Sequence, residues 1–436
     1  MEPIFRKPRS SGFVRFVFRK QSKKARLKIT LTHAGKQHAY KVARAMKELD
    51  VLDQFMTSGY IKSKALQNLI TKSGNTFWPR RFESGLSGKS VNPNWRFEIP
   101  ESAQKFFFGK TQKLEQLVYQ RDEAFDRWVS KKIMNKDSDV FWGFQGSCMH
   151  SLLSAKQSQK ITVCELATAH VTEAKNILAE EATLHPEWAD TITNLVFPFA
   201  YEKRLELEPF LADYAVVASK FSKDSLIQAG MEEEKIHTIP LGFDVDHITY
   251  SKKSFDDWNQ RPMKILYSGT VTQRKGISYL LEAMYQFSNR DVELHIIGNA
   301  DTSLPAFIKE KSLFHYHGSM AQSELFRAYG NYDLLVLPTL FEGFGLVIVE
   351  AMAAGLPVIT TSHSIGPDLV EEEAESGTII PIRSSSEIVN AIEHYKNLSR
   401  ENMIRASLAA RRASLKFTWD RHSENLNTFA NTTLKK

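Results

Sequence analysis

The chain runs to 436 residues, 42% of them hydrophobic, with a formal net charge of +7 and two cysteines, Cys148 and Cys164. So much apolar material excludes a disordered or fibrous chain and allows two or three cores, while two thiols exclude a disulfide framework and point to a reducing, cytoplasmic setting. No run of about eighteen uncharged apolar residues is present, and the N-terminus lacks the apolar centre of a secretory signal, so neither a spanning helix nor export is expected.

The charge is concentrated at the start of the chain. Residues 1–28 carry ten Lys or Arg against Glu2 alone, a balance of +9 that leaves −2 for everything after it. A nucleic-acid groove would spread positive charge over the folded body, so nucleic acid is not an expected partner. With Phe13, Val14, Phe16, Val17 and Phe18 interleaved, the tail over 1–24 fits two readings equally: contact with an anionic membrane surface at its inner face, or a solvated leader outside the fold.

From Arg26 onward, strand-like runs alternate with helical patterns, the signature of parallel α/β units. The first strand is "LKITLTH", followed by a loop at Gly35 and a helix from about His38 to Leu49. Asn75 to Pro100, rich in Gly, Pro, Ser and aromatic residues, reads as an irregular excursion, and Leu114 to Met134 as a long helix. "SDVFWGFQ", "KITVCELATAH", "DYAVVAS" and "IHTIPLG" are further buried strands. The polar, Pro-bounded stretch 243–262 is the expected linker. After it the alternation restarts with "MKILYSG", "VELHIIG", "LFHYHG", "DLLVLP", "LPVITT" and "GTIIP".

Ligands of parallel sheets bind outside the carboxyl ends of the strands, so the loops there are the ones to inspect. In "SGTVTQRKGISYLLEA", Ser268 to Ala283, a Gly-containing loop with Arg274 and Lys275 leads into a helix start, which suits a phosphate. The spacing is neither a Walker A loop nor a dinucleotide fingerprint. In "LFEGFGLVIVEAMAAGLPVITT", Gly343 and Gly345 let backbone come close to a ligand before a helix that is apolar almost all round, yet Glu350 sits in its middle. A buried carboxylate without donors is costly, and ribose or sugar hydroxyls are donors. Glu342 and Glu350 are expected about 10 Å apart, one before the helix and one inside it, which does not suit a glycosidase pair. "DVD", Asp244 to Asp246, falls in the linker, and the thirteen histidines lack His-x-x-x-His spacing, so no metal site is expected.

These stretches resemble a known family. "FEGFGLVIVEAMAAGLPVI" is similar to the Glu-x7-Glu signature of the family-four retaining glycosyltransferases, enzymes of the GT-B fold in which two Rossmann-like parallel-sheet domains face a cleft. "ADYAVVASKFSKDSLIQAGMEEEKIHTIPLGFD" resembles the close of their first domain and "YSGTVTQRKGISYLLEA" the opening of their second. The resemblance implies a division into the tail 1–24, an acceptor-side domain 25–242, the linker 243–262, a nucleotide-sugar domain 263–415, and a terminal helix 416–436 returning to the first domain. It implies that Glu350 binds ribose hydroxyls. Glu342, with the backbone of Gly343, Phe344 and Gly345, would hold the donor sugar and phosphates, and Lys275 would neutralise the diphosphate. The family often has Arg where this chain has Thr270, with Arg274 a nearby substitute. His170, in "CELATAHV", would reach the donor, and Gly35, in "HAGKQH", would lie near acceptor and diphosphate. Ser219, Phe221 and Gly242 would maintain the hinge, and the loop after "LHIIG" would read the base.

The expected partners are therefore a nucleotide diphosphate sugar as donor substrate, with no further cofactor, and a glycan or lipid-linked acceptor. His170, Lys275 and Glu342 are the expected catalytic groups. Two readings from other classes stand beside this one: a non-catalytic sugar-nucleotide-binding subunit of a glycan-assembly complex, and a GT-B sugar-nucleotide epimerase.

Overall fold

In the computed structural model, which describes residues 26–72, 78–86, 89–108, 112–192, 196–250, 253–258 and 260–435, the apolar runs form two all-parallel sheets. The basic tail over 1–24 lies outside the described residues. The first sheet has seven strands: β1 Ile29–His33, β2 Leu52–Thr57, β3 Val91–Pro93, β4 Val140–Phe144, β5 Ile161–Glu165, β6 Tyr214–Val217 and β7 Ile236–Thr238, in the order β3-β2-β1-β4-β5-β6-β7. The second has six: β8 Met263–Ser268, β9 Val292–Ile297, β10 Phe314–Tyr316, β11 Leu334–Leu337, β12 Val358–Thr361 and β13 Gly377–Ile380, in the order β10-β9-β8-β11-β12-β13. Central strands are buried along their whole length, as β1, β4 and β11 are, because helices cover both faces of a parallel sheet.

Two strands are additional to the sequence reading. In β2, Asp53 and Gln54 interrupt the apolar run, so only Phe55, Met56 and Thr57 are buried. The segment read as an irregular excursion contains β3, three residues at the sheet edge ending in Pro93, where a missing N–H costs no ladder bond.

Buried carboxylates fix the first domain's helices. The helix Met149–Gln157 starts with its free N–H groups aimed at two of them: Glu208 accepts from Cys148 N at 3.0 Å and Met149 N at 2.9 Å, and Asp126 accepts from His150 N at 2.8 Å and Ser151 N at 2.9 Å. Anions at a helix N-terminus satisfy orphan donors and oppose the helix dipole. Arg204, 2.6 Å from Asp126 and 3.3 Å from Glu208, offsets part of their charge, although burial still pushes the Glu208 carboxyl up to about 7.

The chain crosses between the sheets twice, side by side. Phe243 N donates to Phe417 O at 3.1 Å, and a single parallel bridge joins Phe243 to Thr418. The terminal helix Trp419–Thr432 then packs on the helix Ala39–Glu48 of the first domain, burying Leu426, Phe429 and Ala430 against that domain's core. Among the described residues no helix is long and apolar enough to cross a membrane.

Gly242 stands where the crossings touch: a Cβ there would meet Trp419 N and Cα at 2.5 Å. Both are backbone atoms and cannot rotate away. Gly242→Ala should therefore destabilise the protein by about 1–3 kcal/mol, the usual cost of overpacking, read as a lower denaturation midpoint at unchanged m-value; an unchanged midpoint would show that the crossings slide freely.

Candidate functional site

The site forms where loops after β8 and β11 of the second sheet meet the loop after β5 of the first. After β8 the chain makes a short 3-10 turn, Gln273–Lys275, and then the helix Ile277–Met284. Gly276 joins them at φ +71°, and a Cβ there would lie 1.9 Å from Pro338 O, so this turn is pressed directly onto the end of β11. Leu340 N donates to Arg274 O at 2.8 Å, which completes the contact.

Two cations converge on one carboxylate there. Lys275 Nζ donates to Glu342 Oε1 at 2.5 Å and Arg274 Nη1 to the same oxygen at 3.1 Å. The Lys275 and Glu342 side chains are each only 12% exposed. Burial pushes the Glu342 carboxyl up, but Lys275 and then Arg274 outweigh it and hold it below the ordinary carboxylate range. Glu342 is thus an anion at neutral pH, and the pair of cations leaves one positive charge in surplus. Arg274 is further held by Phe341, donating to its carbonyl at 2.9 Å and lying 5.5 Å from its ring centre.

The next residues bind the domains together. A Cβ on Gly343 would lie 1.8 Å from Ala167 O, in the loop after β5, so a larger residue cannot occupy this contact. Gly343 O in turn accepts from Ser219 Oγ at 2.8 Å and Ser222 Oγ at 3.3 Å, at the start of the first-domain helix Lys220–Gln228. Phe221 stacks on His363 with ring centres 4.3 Å apart. Beside this junction a cavity of about 360 Å³ is lined by Gln145, Thr168, Lys175 and Phe197 from the first domain and Arg274 and Glu342 from the second.

Glu350 lies in the helix Leu346–Ala353, whose other side chains are all apolar. The Tyr329 hydroxyl donates to Glu350 Oε2 at 3.4 Å, a long contact, and no cation pairs with it among the described residues. Burial pushes its carboxyl up to about 7, with Gln322 and Tyr329 opposing weakly. The two carboxylates of this loop and helix therefore differ: Glu342 is fully compensated, Glu350 is not.

The remaining expected residues are placed as follows. Thr270 is exposed in the loop after β8, its carbonyl accepting from the Tyr267 hydroxyl at 3.0 Å. The Phe344 side chain is buried in the second domain's core, leaving only its backbone toward the loop, and its carbonyl accepts from Ile365 N at 3.0 Å. Gly345, at φ +93°, is the N-cap of the helix carrying Glu350. His170, expected to reach the donor, is instead turned into its own domain: its Nε2 lies 3.4 Å from Glu206 O, its ring is edge-on to Phe210, and it does not line the cavity. Gly35 gives its N–H to His33 Nδ1 at 2.6 Å, so that amide is already satisfied; burial holds His33 at about 3, neutral and able to accept.

Sequence reasoning missed Glu181. This residue of the first-domain helix Val171–Leu184 is fully buried and accepts from Gln273 Nε2 at 2.6 Å and Arg383 Nε at 2.8 Å, both in the second domain. Gln273 immediately precedes Arg274 and Lys275, so Glu181 fixes the turn that carries both cations. Standing next to the exposed Glu180 on the same helix, Glu181 gave no local signal of this.

Residues 262–397 match the family described as Glycosyl transferases group 1. The MMP alpha-(1->4)-mannosyltransferase of Mycolicibacterium hassiacum is 25% identical over 217 residues, 48% of this chain and 51% of that protein. The amylovoran biosynthesis glycosyltransferase AmsK of Erwinia amylovora is 29% identical over 176 residues, 37% of this chain and 42% of that protein. The chain thus spans about half the length of these curated relatives. The crystal structure of Anabaena HepE in complex with UDP and glucose superposes with a TM-score of 0.59 at 18% identity, covering 93% of this chain and 100% of that one. At that identity the likeness shows the fold alone, and the fold is GT-B: two Rossmann-like parallel-sheet domains joined across a cleft.

Proposed function

We propose that this protein is a retaining glycosyltransferase that moves a sugar from a nucleotide diphosphate sugar to an acceptor hydroxyl, in the synthesis of a cell-surface polysaccharide or glycolipid. The observation that carries this reading is the convergence of Lys275 and Arg274 on Glu342, with a surplus positive charge at the start of two helices. A diphosphate is the ligand such a place favours, and its charge grows as the glycosidic bond to the sugar breaks. Glu350 accepts the ribose hydroxyls, which supply the donors its helix lacks. HepE was crystallised with UDP and glucose, which makes a UDP-sugar the first donor to try, and the name of AmsK points to a polysaccharide product.

Glu342 is a poor nucleophile because its charge is engaged by two cations, which supports departure and attack on one face of the sugar, assisted by the leaving phosphate, over a glycosyl-enzyme route. His170 joins the site by turning its ring away from Glu206 O and Phe210 toward Lys275 and Glu342. The acceptor enters from the first domain, with the cavity beside Lys175 and Phe197 as its approach. Transfer requires no metal ion. The tail over 1–24 meets an anionic membrane surface, bringing the enzyme to a lipid-linked acceptor.

Lys275→Met should keep the fold and lower kcat/KM by about 100- to 1,000-fold, the usual loss when one charge-stabilising donor is removed, in an assay of UDP release from UDP-sugars with acceptor lipid or glycan; full activity would remove Lys275 from the reaction. Proton NMR of the product anomeric position should show the donor's configuration, unchanged by EDTA, and an inverted product would overturn the proposed course.

Glu350 generates a pH prediction. Its carboxyl sits at about 7 in the free protein, and ribose hydroxyls donate to the ionised form, so donor binding takes up no proton above that value and competes with one below it. UDP affinity, measured by calorimetry, should be flat above about pH 8 and fall by up to about tenfold per unit below pH 7. Glu350→Gln should bind more weakly with no such slope. Because the folded-state value lies above the ordinary 4.5, the ionised carboxylate costs stability as pH rises toward 7. The same variant should therefore melt higher than the parent at pH 8, by a margin that vanishes near pH 4.

A further inference from the structure

The second sheet carries a histidine cluster that the transfer chemistry does not use. In the parallel ladder of β9 and β10, His295 pairs directly with His315. Glu293 lies two residues before His295, and His317 two residues after His315. A period of two puts all four side chains on one face of the sheet. The alternate residues Val292, Leu294 and Ile296 are buried on the other face. One donor atom from each of Glu293, His295 and His315 falls within 4.8 Å of the other two.

The imidazole of His295 is arranged as a ligand. Its Nδ1 lies 3.0 Å from His317 Nε2, and its ring stands 5.2 Å from that of Tyr332, which walls it in. Its Nε2 is fully shielded, has no hydrogen-bond partner among the described residues, and lies 3.5 Å from Glu293 Oε2. Buried nitrogens are rarely left so. When Nδ1–H donates to His317, Nε2 carries a bare lone pair aimed at the side where the Glu293 carboxylate sits. A second imidazole, His315, stacks at 4.9 Å from the His295 ring.

The geometry points to a binding site for a divalent first-row transition cation, with His295 Nε2, His315 and Glu293 as its three protein ligands and His317 as the group that orients His295. Two imidazoles and a carboxylate are a donor set for Zn²⁺ and its neighbours, with the remaining position left to water. Ligand nitrogens about 2.0–2.1 Å from Zn²⁺ stand closer together than the free cluster does, and the exposed His315 has room to close the gap. An ion there would tie the edge strand β10 to β9. The ligands lie on the strands, away from the strand-end loops of Lys275 and Glu342, so the site is separate from the transfer reaction.

The test uses the full-length protein, stripped with EDTA and titrated with ZnCl₂ by calorimetry and with Co²⁺ by visible absorption. One Zn²⁺ per chain is expected, with the visible bands of low-coordinate Co²⁺. His315→Ala and Glu293→Gln should each weaken Zn²⁺ at least tenfold, His317→Ala by about 10- to 100-fold as for an orienting partner, and His394→Ala, a change at another exposed histidine, not at all. His315 is exposed and Glu293 is replaced by an isostere, so both variants should keep the apo melting temperature. No Zn²⁺ uptake by the parent, or the same uptake in His315→Ala and Glu293→Gln, would overturn the assignment.

Discussion

Everything at the candidate site depends on two backbones touching. Gly343 approaches Ala167 so closely that a Cβ would lie 1.8 Å from its carbonyl oxygen, and two first-domain hydroxyls, Ser219 and Ser222, fasten the Gly343 carbonyl in place. One residue upstream is Glu342, with its pair of cations. The contact therefore seats the charged cluster against the first domain, and the cavity between the domains exists because this junction forms one of its walls. Two separately folded α/β domains would not by themselves produce a site.

The same stretch holds two carboxylates under opposite electrostatic regimes. Desolvation acts on both, but Glu342 has Lys275 and Arg274 beside it, whereas Glu350 has only neutral donors, Gln322 and a phenol at 3.4 Å. The cations win at Glu342 and burial wins at Glu350. A group left in the second condition costs stability in the free protein, and it is retained where a ligand supplies the missing donors. This asymmetry leaves Glu350 short of donors, as the role proposed for it toward ribose hydroxyls requires.

Much of this was legible in the sequence, and the gaps have physical causes. Buried strands such as "LLVL" and "ITLTH" declare themselves by continuous apolar runs, whereas β2 and β3 are shortened by Asp53, Gln54 and Pro93. Glu350 was conspicuous because its helix is apolar, and Lys275 because it follows a Gly-containing strand end. The direction of the His170 ring was not legible, since packing against Glu206 and Phe210 decides it. The His295–His315 pair was not legible for another reason: the two residues lie twenty positions apart and meet only through the register of two strands.

Glu181 shows how the closed arrangement is maintained. The helix Val171–Leu184 begins at the loop that touches Gly343 and reaches Glu181 about 15 Å further on, so one rigid element is tied to the second domain at both ends. At its far end Glu181 satisfies Gln273 and Arg383, and Thr191 accepts from Gln273 N at 2.9 Å. Opening the cleft would break these bonds together, leaving a buried carboxylate and a guanidinium to find water instead. That cost favours the closed form, yet it also loosens the turn bearing Arg274 and Lys275 whenever the domains part. For the transfer proposed above, the same bonds would tie the order of the two cations to any parting of the domains.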